Sequence, residues 1–339
     1  MTTATAKPFT LDSAAPAWPI TYRDVLDARQ RLSPFLIPTA LRHYPLLDAH
    51  IGGGTSLLIK HENHQPTCSF KVRNGLSVVT AMSAEERGRG VVAASTGNHG
   101  QGIAYAAHLL GVRATICVPV GNNPEKSAAM RSWGAKVVEF GKTYDDSVDG
   151  MLQLARDEGR MVAHSTNDAR VLAGAATMSL EMMEQSGGLD AIVIAVGGGS
   201  QSVGALTVAR ELASGLPVYG VQTAGAPAIH DSWHANATLR TDQADTFAEG
   251  VATRQPYGMT FATLRAGLAG FVTVTDAEVA DAIRLVLKLT HNLVEGAGAL
   301  GVAGAIKMRD QLKGQRVGVI FSGANLDTAV LRRILAGEL

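Results

Sequence analysis

A short apolar run, a turn of small residues and a helical pattern recur in that order along the chain. Apolar strands that alternate with helices are typical of a mostly parallel sheet covered by helices on both faces. The sequence therefore predicts an α/β fold. Strands are expected at residues 91–94, 114–118, 136–140, 191–196, 218–222, 271–274 and 316–321, and helices at 101–110, 124–133, 144–157 and 200–212. The polar, weakly periodic residues 230–254 are expected to run over the surface as a long excursion.

The size, composition and charge of the chain indicate what kind of protein it is and which partners it is not expected to bind. At 339 residues it is long enough for about two domains. Its 46% hydrophobic and 18% charged residues are typical of a globular enzyme. Lys plus Arg and Asp plus Glu both number 30. This balance creates no net field that attracts nucleic acid or an anionic membrane, so we expect neither partner.

Cysteine content and the N-terminus indicate the compartment. Cys68 and Cys117 are too few for a disulfide framework, which fits a reducing environment. Residues 1–19 lack the charged start and apolar block of a secretory signal, and no apolar run reaches the roughly 20 residues of a membrane helix. We therefore expect a cytoplasmic protein, with its first few residues, rich in Thr and Ala, forming a loose arm.

A run of three glycines, Gly197–Gly199, follows one predicted strand and opens a predicted helix. Free backbone N–H groups and the helix dipole at such a turn attract a phosphate, and glycine permits the backbone to approach it closely. Ser200 adds a hydroxyl donor. The spacing does not match a dinucleotide fingerprint, whose last glycine would fall at Ser202, or a nucleotide P-loop. Alone, the run is equally compatible with a tight turn that binds no ligand.

Two further turns follow predicted strands. Residues 95–100 could donate hydroxyls and amides to a carboxylate, or could only cap the following helix. Ser322, in Phe321-Ser322-Gly323-Ala324-Asn325, could hydrogen-bond a ring nitrogen or likewise cap a helix. Turns at the carboxyl ends of parallel strands meet at one crevice of an open sheet. We therefore expect all these turns to lie together.

Lys71, in the segment Pro66–Gly75, is a candidate for covalent chemistry with an aldehyde. A lysine amine forms a Schiff base with a carbonyl cofactor when burial or nearby positive charge lowers its pKa. Pyridoxal phosphate requires an amine for its aldehyde, a cradle for its phosphate and a partner for its ring nitrogen. The chain offers Lys71, the Gly197–Gly199 turn and Ser322 for these three tasks.

Together these residues resemble the fold-type II pyridoxal-phosphate enzymes, in the branch of threonine/serine dehydratases and serine racemases. The resemblance extends to phenylserine dehydratase-like members of this branch. The family motifs span most of the chain in the family's order and match Ser69–Arg73, Ser95–Gly102, Val196–Gly204, Glu295–Ala299 and Ser322–Asn325. The resemblance implies a tryptophan synthase beta-like fold, with two open, twisted, mostly parallel sheets covered by helices.

The resemblance also implies a role for each candidate residue. Lys71 would hold pyridoxal 5'-phosphate as a Schiff base and later move the Cα proton. Phe70 would lie beside the cofactor ring, Asn98 would bond its phenolic oxygen, and Ser322 its ring nitrogen. The phosphate would be held by Gly197, Gly198, Gly199 and Ser200. The substrate carboxylate would be received, through side chains or amides, by Ser95, Thr96, Asn98 and His99.

Among the positions that depart from the family pattern, two lead to expectations about the structure. Cys68 stands where the family usually has Gly or Ala, and we expect a small buried thiol there. Gln222 stands where many members have a Glu that binds a divalent cation together with nearby acids. A neutral amide is a weaker ligand for a hard cation than a carboxylate, so that cation is in doubt and we assign no metal site.

Two histidine pairs have helical spacing, His61 with His64 and His230 with His234. Neither pair has a convincing third ligand nearby in the sequence. Short motifs of this kind are often matched by chance, so we interpret both pairs as structural.

By resemblance, the protein is a dehydratase (ammonia-lyase) that eliminates water from a β-hydroxy amino acid to give a 2-oxo acid and ammonia. Threonine and serine are expected substrates. 3-Phenylserine ranks level with threonine, because residues 174–176 and 296–297 are small and could leave room for a larger β-substituent. 3-Hydroxyaspartate is less favoured, since no extra basic residue in the matched motifs awaits a second carboxylate.

Other functions use the same residues. An amino acid racemase would use Lys71 with Thr96 as the acid on the opposite face of Cα. A β-replacement synthase would add a second nucleophile such as a thiol, and a non-catalytic paralogue would only bind amino acids.

The resemblance further implies that residues 1–89 and 164–339 form a large cofactor-binding domain and residues 90–163 a small mobile domain that closes over the site. We expect the protein to form a homodimer. We expect its small-molecule partner to be an amino acid substrate. Because the chain ends soon after Ser322, we expect no C-terminal regulatory domain.

Overall fold

The computed structural model describes residues 18–339, so the loose arm predicted for the first few residues lies outside the described residues. The described chain alternates between helices and strands. Its strands are β1 (Leu41–His43), β2 (Ser56–Lys60), β3 (Val91–Ala94), β4 (Ala114–Val118), β5 (Lys136–Glu139), β6 (Met161–Val162), β7 (Ala191–Ala195), β8 (Val218–Thr223), β9 (Gly270–Val274) and β10 (Arg316–Ile320).

The α-helices pack on the strands, and two short 3₁₀ turns, Glu62–His64 and Glu249–Val251, complete the described structure. In chain order the helices are α1 (Tyr22–Leu32), α2 (Pro45–Ile51), α3 (Lys71–Thr80), α4 (Ala84–Arg89), α5 (Asn98–Leu109), α6 (Pro124–Ser132), α7 (Tyr144–Glu158), α8 (Ala169–Ser186), α9 (Ser200–Leu212), α10 (Ala228–Ala235), α11 (Gly258–Gly267), α12 (Asp276–Thr290), α13 (Gly296–Lys307) and α14 (Thr328–Ala336).

The strands form two separate sheets. The larger has six strands in the order β1-β2-β10-β7-β8-β9, and only β1 runs antiparallel to its neighbour. The smaller has four parallel strands in the order β5-β4-β3-β6. Strands β3, β4 and β7 are buried along their whole length, as expected for parallel strands covered on both faces. The prediction of two mostly parallel sheets covered by helices is confirmed.

The strands that the sequence analysis missed are the short or polar ones. β1 and β6 contain three and two residues, too few to show a periodic pattern. β2 follows a run of glycines and carries a buried lysine, Lys60, so its apolar run is brief. The surface excursion expected at residues 230–254 is only partly correct. It begins within α10, and its later part turns inward at Ala248 and Val251, which are buried at the 3₁₀ turn Glu249–Val251.

Helix α3, which begins at Lys71, is held by close packing and by buried charge. A Cβ atom built on Gly75 would lie 2.1 Å from the carbonyl oxygen of Gly102 in α5, so the two backbones touch. On another side, the Arg73 guanidinium donates to Glu62 and Glu181, and all three side chains are buried. Removing one member of such a buried network leaves a charge unpaired, so these contacts fix the helix firmly.

Candidate active site

One cavity of about 1130 Å³ brings together every residue that the sequence analysis assigned to the site. It opens where β3, β7 and β10 end, as expected for turns at the carboxyl ends of parallel strands. The predicted residues in its wall are Phe70, Lys71, Ser95, Thr96, Asn98, His99, Gly197, Gly198, Gly199, Ser200 and Ser322.

Lys71 points its amine toward the loop that follows β6. Its Nζ donates to the carbonyl oxygen of Ser165 at 3.3 Å and lies 4.9 Å from the centroid of the Phe70 ring. Burial lowers the pKa of Lys71 to about 8, although the Glu295 carboxylate acts in the opposite direction. A larger fraction of the amine is therefore neutral, and so nucleophilic, near physiological pH.

The Gly197–Gly199 turn leads directly into α9, as predicted. Gly199 has φ +94° at the N-cap and the helix start has no side-chain cap, so its first amides remain free for a ligand. A Cβ atom on Gly198 would lie 2.2 Å from the Thr166 hydroxyl oxygen. The turn therefore requires glycine, and its open amides fit a phosphate group.

The Ser322 turn runs alongside the segment that precedes Lys71. The Phe70 N–H donates to the Ser322 carbonyl at 2.9 Å, and the Ala324 N–H donates to the Cys68 carbonyl at 2.8 Å. These bonds hold Ser322 and Lys71 in a fixed relation. The Ser322 hydroxyl is a neutral group at the cavity wall, which suits an unprotonated ring nitrogen.

In the turn after β3, the Ser95 side chain binds backbone amides of the turn, and two further backbone amides are left free. The Ser95 hydroxyl oxygen accepts from the N–H groups of Gly97 at 3.2 Å and Gly100 at 2.9 Å, so Ser95 does cap the turn. Because α5 begins at Asn98, the amides of Asn98 and His99 have no intrahelical acceptor. These two amides are therefore available to a carboxylate.

The His99 ring does not serve as an anion donor. Its Nε2–H donates to the Ala163 carbonyl at 2.9 Å, and burial lowers the pKa of His99 to about 3. The neutral ring is thus committed through its only N–H. Of the two routes considered for His99, only the backbone amide can reach a substrate carboxylate.

Glu295 is a site residue to which the sequence analysis gave no role. Its Oε1 accepts from the Asn98 amide nitrogen at 2.6 Å, and the Asn325 amide donates to Asn98 Oδ1 at 2.7 Å. Burial raises the pKa of Glu295 to about 7, opposed by the hydrogen bond from Asn98. The Glu295–Ala299 motif could have indicated this role. Ser165 gave no signal, because it lies in a loop outside every matched motif.

Two expectations about small residues near the site are wrong. Cys68 is exposed rather than buried. Its backbone adopts a left-handed conformation with φ 51°, which favours glycine. Residues 174–176 do not line the cavity. They are buried within α8, where a Cβ atom on Gly174 would lie 2.6 Å from the Arg73 carbonyl, so their small size serves helix packing. Gly296 and Ala297 do line the cavity.

Gln222 takes part in hydrogen bonds. Its Oε1 accepts from the His230 N–H at 3.0 Å, and its Nε2 donates to the Thr253 hydroxyl at 3.1 Å. Within residues 18–339, no group of three or more His, Cys, Asp or Glu side chains is arranged to hold a metal ion. The rings of His61 and His64 stack on each other. Those of His230 and His234 lie 4.4 Å apart between centroids and are tilted by 57°.

Comparison with known proteins decides the family. The sequence profile of the pyridoxal-phosphate dependent enzymes matches residues 32–323. The chain belongs to this family.

No helix within residues 18–339 has both the length and the apolar character needed to span a bilayer.

Relatives of this pyridoxal-phosphate enzyme place it in the threonine/serine dehydratase branch. It is 35% identical to an L-threonine ammonia-lyase of Thermotoga maritima, over 93% of this chain and 78% of the relative. It is 34% identical to an L-threo-3-hydroxyaspartate ammonia-lyase of Pseudomonas sp, over 93% and 98%. A serine racemase structure from Dictyostelium discoideum superposes with a TM-score of 0.85 at 29% identity, over 91% and 99%.

The residues present fit the family cofactor, pyridoxal phosphate. A cradle that side chains would fill lies at Gly197–Gly199, an amine with a lowered pKa lies at Lys71, and a hydroxyl lies at Ser322. The cavity joins all three. The cofactor of this enzyme is pyridoxal 5'-phosphate.

Proposed function

We propose that this enzyme eliminates water from a β-hydroxy amino acid to give a 2-oxo acid and ammonia. The observation that carries the proposal is the Lys71 amine, with its pKa lowered to about 8, in one cavity with the glycine turn and Ser322. The names of its relatives, which include threonine and hydroxyaspartate ammonia-lyases, support the same reaction class.

The side chains divide the reaction between them. When bound, pyridoxal phosphate condenses with an amine and draws electrons away from Cα. Lys71, oriented by the Ser165 carbonyl, acts as the base for the Cα proton once its amine is free. The amides of Asn98 and His99 hold the substrate carboxylate at the start of α5, where the helix dipole favours an anion.

Ser322 and Glu295 have supporting roles, one at the cofactor ring nitrogen and one in holding Asn98. Ser322 offers the ring nitrogen a neutral hydroxyl, which does not enforce protonation as an aspartate would, so prompt elimination is favoured over transamination. Glu295 keeps Asn98 in place through the 2.6 Å hydrogen bond. Asn98, held in this way, would bond the phenolic oxygen of the cofactor.

The substrates proposed are threonine, serine and 3-phenylserine. The cavity of about 1130 Å³ is large for a small-molecule site, and the small residues Gly296 and Ala297 form part of its wall. 3-Hydroxyaspartate stays the less favoured choice on charge. Lys126 and Arg254, two cations in the wall, are already paired with Glu249 and Asp145.

The test is a panel of β-hydroxy amino acids given to the holoenzyme, with release of 2-oxo acid and ammonia measured at steady state. We expect turnover of threonine, serine and 3-phenylserine without any second nucleophile. Product that forms only after a thiol is added would identify a β-replacement synthase instead. A purified protein that binds pyridoxal phosphate but forms no 2-oxo acid from any member would refute the proposal.

Racemisation is the second candidate function. Thr96 lines the cavity, and its hydroxyl has no hydrogen-bond partner within the described chain, so it is free to act as an acid at Cα. The similarity to a serine racemase structure favours the same candidate.

Closure of residues 90–163 over the site, assembly as a homodimer and location in the cytoplasm stay predictions.

A further inference from the structure

Two tyrosines that the sequence analysis did not single out line the same cavity as Lys71. Tyr144 is the first residue of α7, and Tyr257 immediately precedes α11. Both side chains are partly buried. Aromatic rings in a cavity wall offer a broad apolar face together with one polar atom, and such rings dominate the contacts of ligand sites.

Both tyrosines contact the short segment that orients the Lys71 amine. The Ser165 carbonyl accepts from Lys71 Nζ at 3.3 Å. The Ser165 side chain lies near the Tyr144 hydroxyl, whose pKa burial raises and Ser165 lowers. The ring of His164, the preceding residue, lies edge-on to the Tyr257 ring, with centroids 6.0 Å apart and an interplanar angle of 78°. Both tyrosines therefore adjoin the segment His164–Ser165, whose backbone binds the amine that is proposed to act at Cα.

The charges of the cavity favour an apolar side chain over a second carboxylate. Lys126 and Arg254 are neutralised by acidic partners. The other cations of the rim, Arg240 and Lys142, are exposed to solvent, which weakens their attraction for a carboxylate. The partly buried rings of Tyr144 and Tyr257 are thus aromatic neighbours of the segment His164–Ser165, whereas Lys142 and Arg240 lie at the exposed edge of the cavity.

On the basis of the proposed function, we propose that Tyr144 and Tyr257 form a wall that receives the β-substituent of the substrate and favours an aromatic one. 3-Phenylserine is then a better substrate than threonine. Each contact between aromatic rings corresponds to a preference of about two- to tenfold beyond the burial of the phenyl group.

The test compares leucine variants, which lose the ring, with a variant that keeps it. Tyr144→Leu and Tyr257→Leu should each lower kcat/KM for 3-phenylserine about tenfold more than they lower kcat/KM for threonine. Tyr144→Phe should keep most of the preference. Tyr105→Leu is the matched control, because Tyr105 packs on Trp133, with ring centroids 4.8 Å apart, and lies outside the cavity wall.

A second readout does not depend on turnover. L-Phenylalanine and L-alanine lack the β-hydroxyl group and cannot lose water, so their binding to the holoenzyme can be measured by calorimetry. The wild type should bind phenylalanine more tightly than alanine, and the leucine variants should reduce the ratio of the two dissociation constants about tenfold.

Two outcomes would overturn the tyrosine wall. One is an equal loss for 3-phenylserine and threonine, and for phenylalanine and alanine, in the leucine variants. The other is a preference for 3-hydroxyaspartate that disappears in Arg240→Ala. Failure of the proposed function would give a different result, because the holoenzyme would then form no 2-oxo acid. The ratio of the dissociation constants of phenylalanine and alanine would still test whether the two tyrosines contact the side chain of the ligand.

Discussion

The backbones of Gly75 and Gly102 touch where α3 crosses α5, just beyond the first turn of α3. A Cβ atom on Gly75 would lie 2.1 Å from the Gly102 carbonyl oxygen, and one on Gly102 would lie 2.3 Å from the Lys71 carbonyl oxygen. Neither position can accept a side chain without moving a helix. The contact joins the helix that carries the lysine to the helix whose first amides are proposed to bind the substrate carboxylate.

Gly102→Ala should therefore disturb both fold and site. Since the atoms it would meet belong to the backbone, we expect a loss of about 3 kcal/mol or more in the free energy of unfolding, measured by denaturant titration. Gly88→Ala is the control, because that exposed helical position has open space around it. Equal stability of Gly102→Ala and the wild type would mean that the helices are not in contact here.

Glu295→Gln should change how stability depends on pH. The pKa of Glu295 is raised from 4.5 to about 7 in the folded protein, so the protonated carboxyl stabilises the fold below about pH 4.5 and this contribution is lost as pH rises through 7. In the cofactor-free protein, the free energy of unfolding of the variant should therefore lack the decrease that Glu295 causes between about pH 4.5 and pH 7. Buried histidines such as His99 act in the opposite direction, so the difference between variant and wild type is the quantity to measure. Glu211→Gln, at an exposed position, is the control.

Thr96→Ala separates elimination from racemisation. If Thr96 supplies the proton on the face opposite Lys71, the variant should still form a 2-oxo acid but lose enantiomer exchange by about 100-fold or more, measured by chiral chromatography. Loss of both activities together, with a raised KM, would instead assign Thr96 to substrate binding.

Ser322→Asp should raise side reactions. A carboxylate beside the ring nitrogen favours its protonation and strengthens the withdrawal of electrons from Cα, so the share of transamination should increase relative to elimination. Ser322→Ala is the neutral comparison. The ratio of aminated cofactor to released ammonia measures this partition, because transamination retains the amino group on the cofactor. An unchanged ratio in Ser322→Asp would contradict the role assigned to Ser322.

The parts of the site that could be predicted are those written in short stretches of sequence. A strand, a small-residue turn and a helix follow one another at Gly197–Gly199, so the local pattern alone is enough to place the turn. Lys71 and Ser322 are found in the same way, through local motifs at the start of a helix and the end of a strand.

The parts that could not be predicted depend on contacts between distant residues. Asn98 meets Glu295 across 197 positions, and Lys71 meets Ser165 across 94, and no local pattern encodes either pairing. Small residues are ambiguous for a related reason. Gly174 and Gly296 look alike in sequence, yet one makes room for a helix and the other borders the cavity.

The most direct measurement is peptide mass spectrometry of the holoenzyme after reduction with borohydride, which fixes the imine between cofactor and lysine as a stable amine. We predict a pyridoxyl phosphate adduct on the peptide that contains Lys71, and none in a Lys71→Ala variant treated in the same way. An adduct on another lysine, or no adduct at all, would contradict the assignment of Lys71 and with it the proposed chemistry of the site.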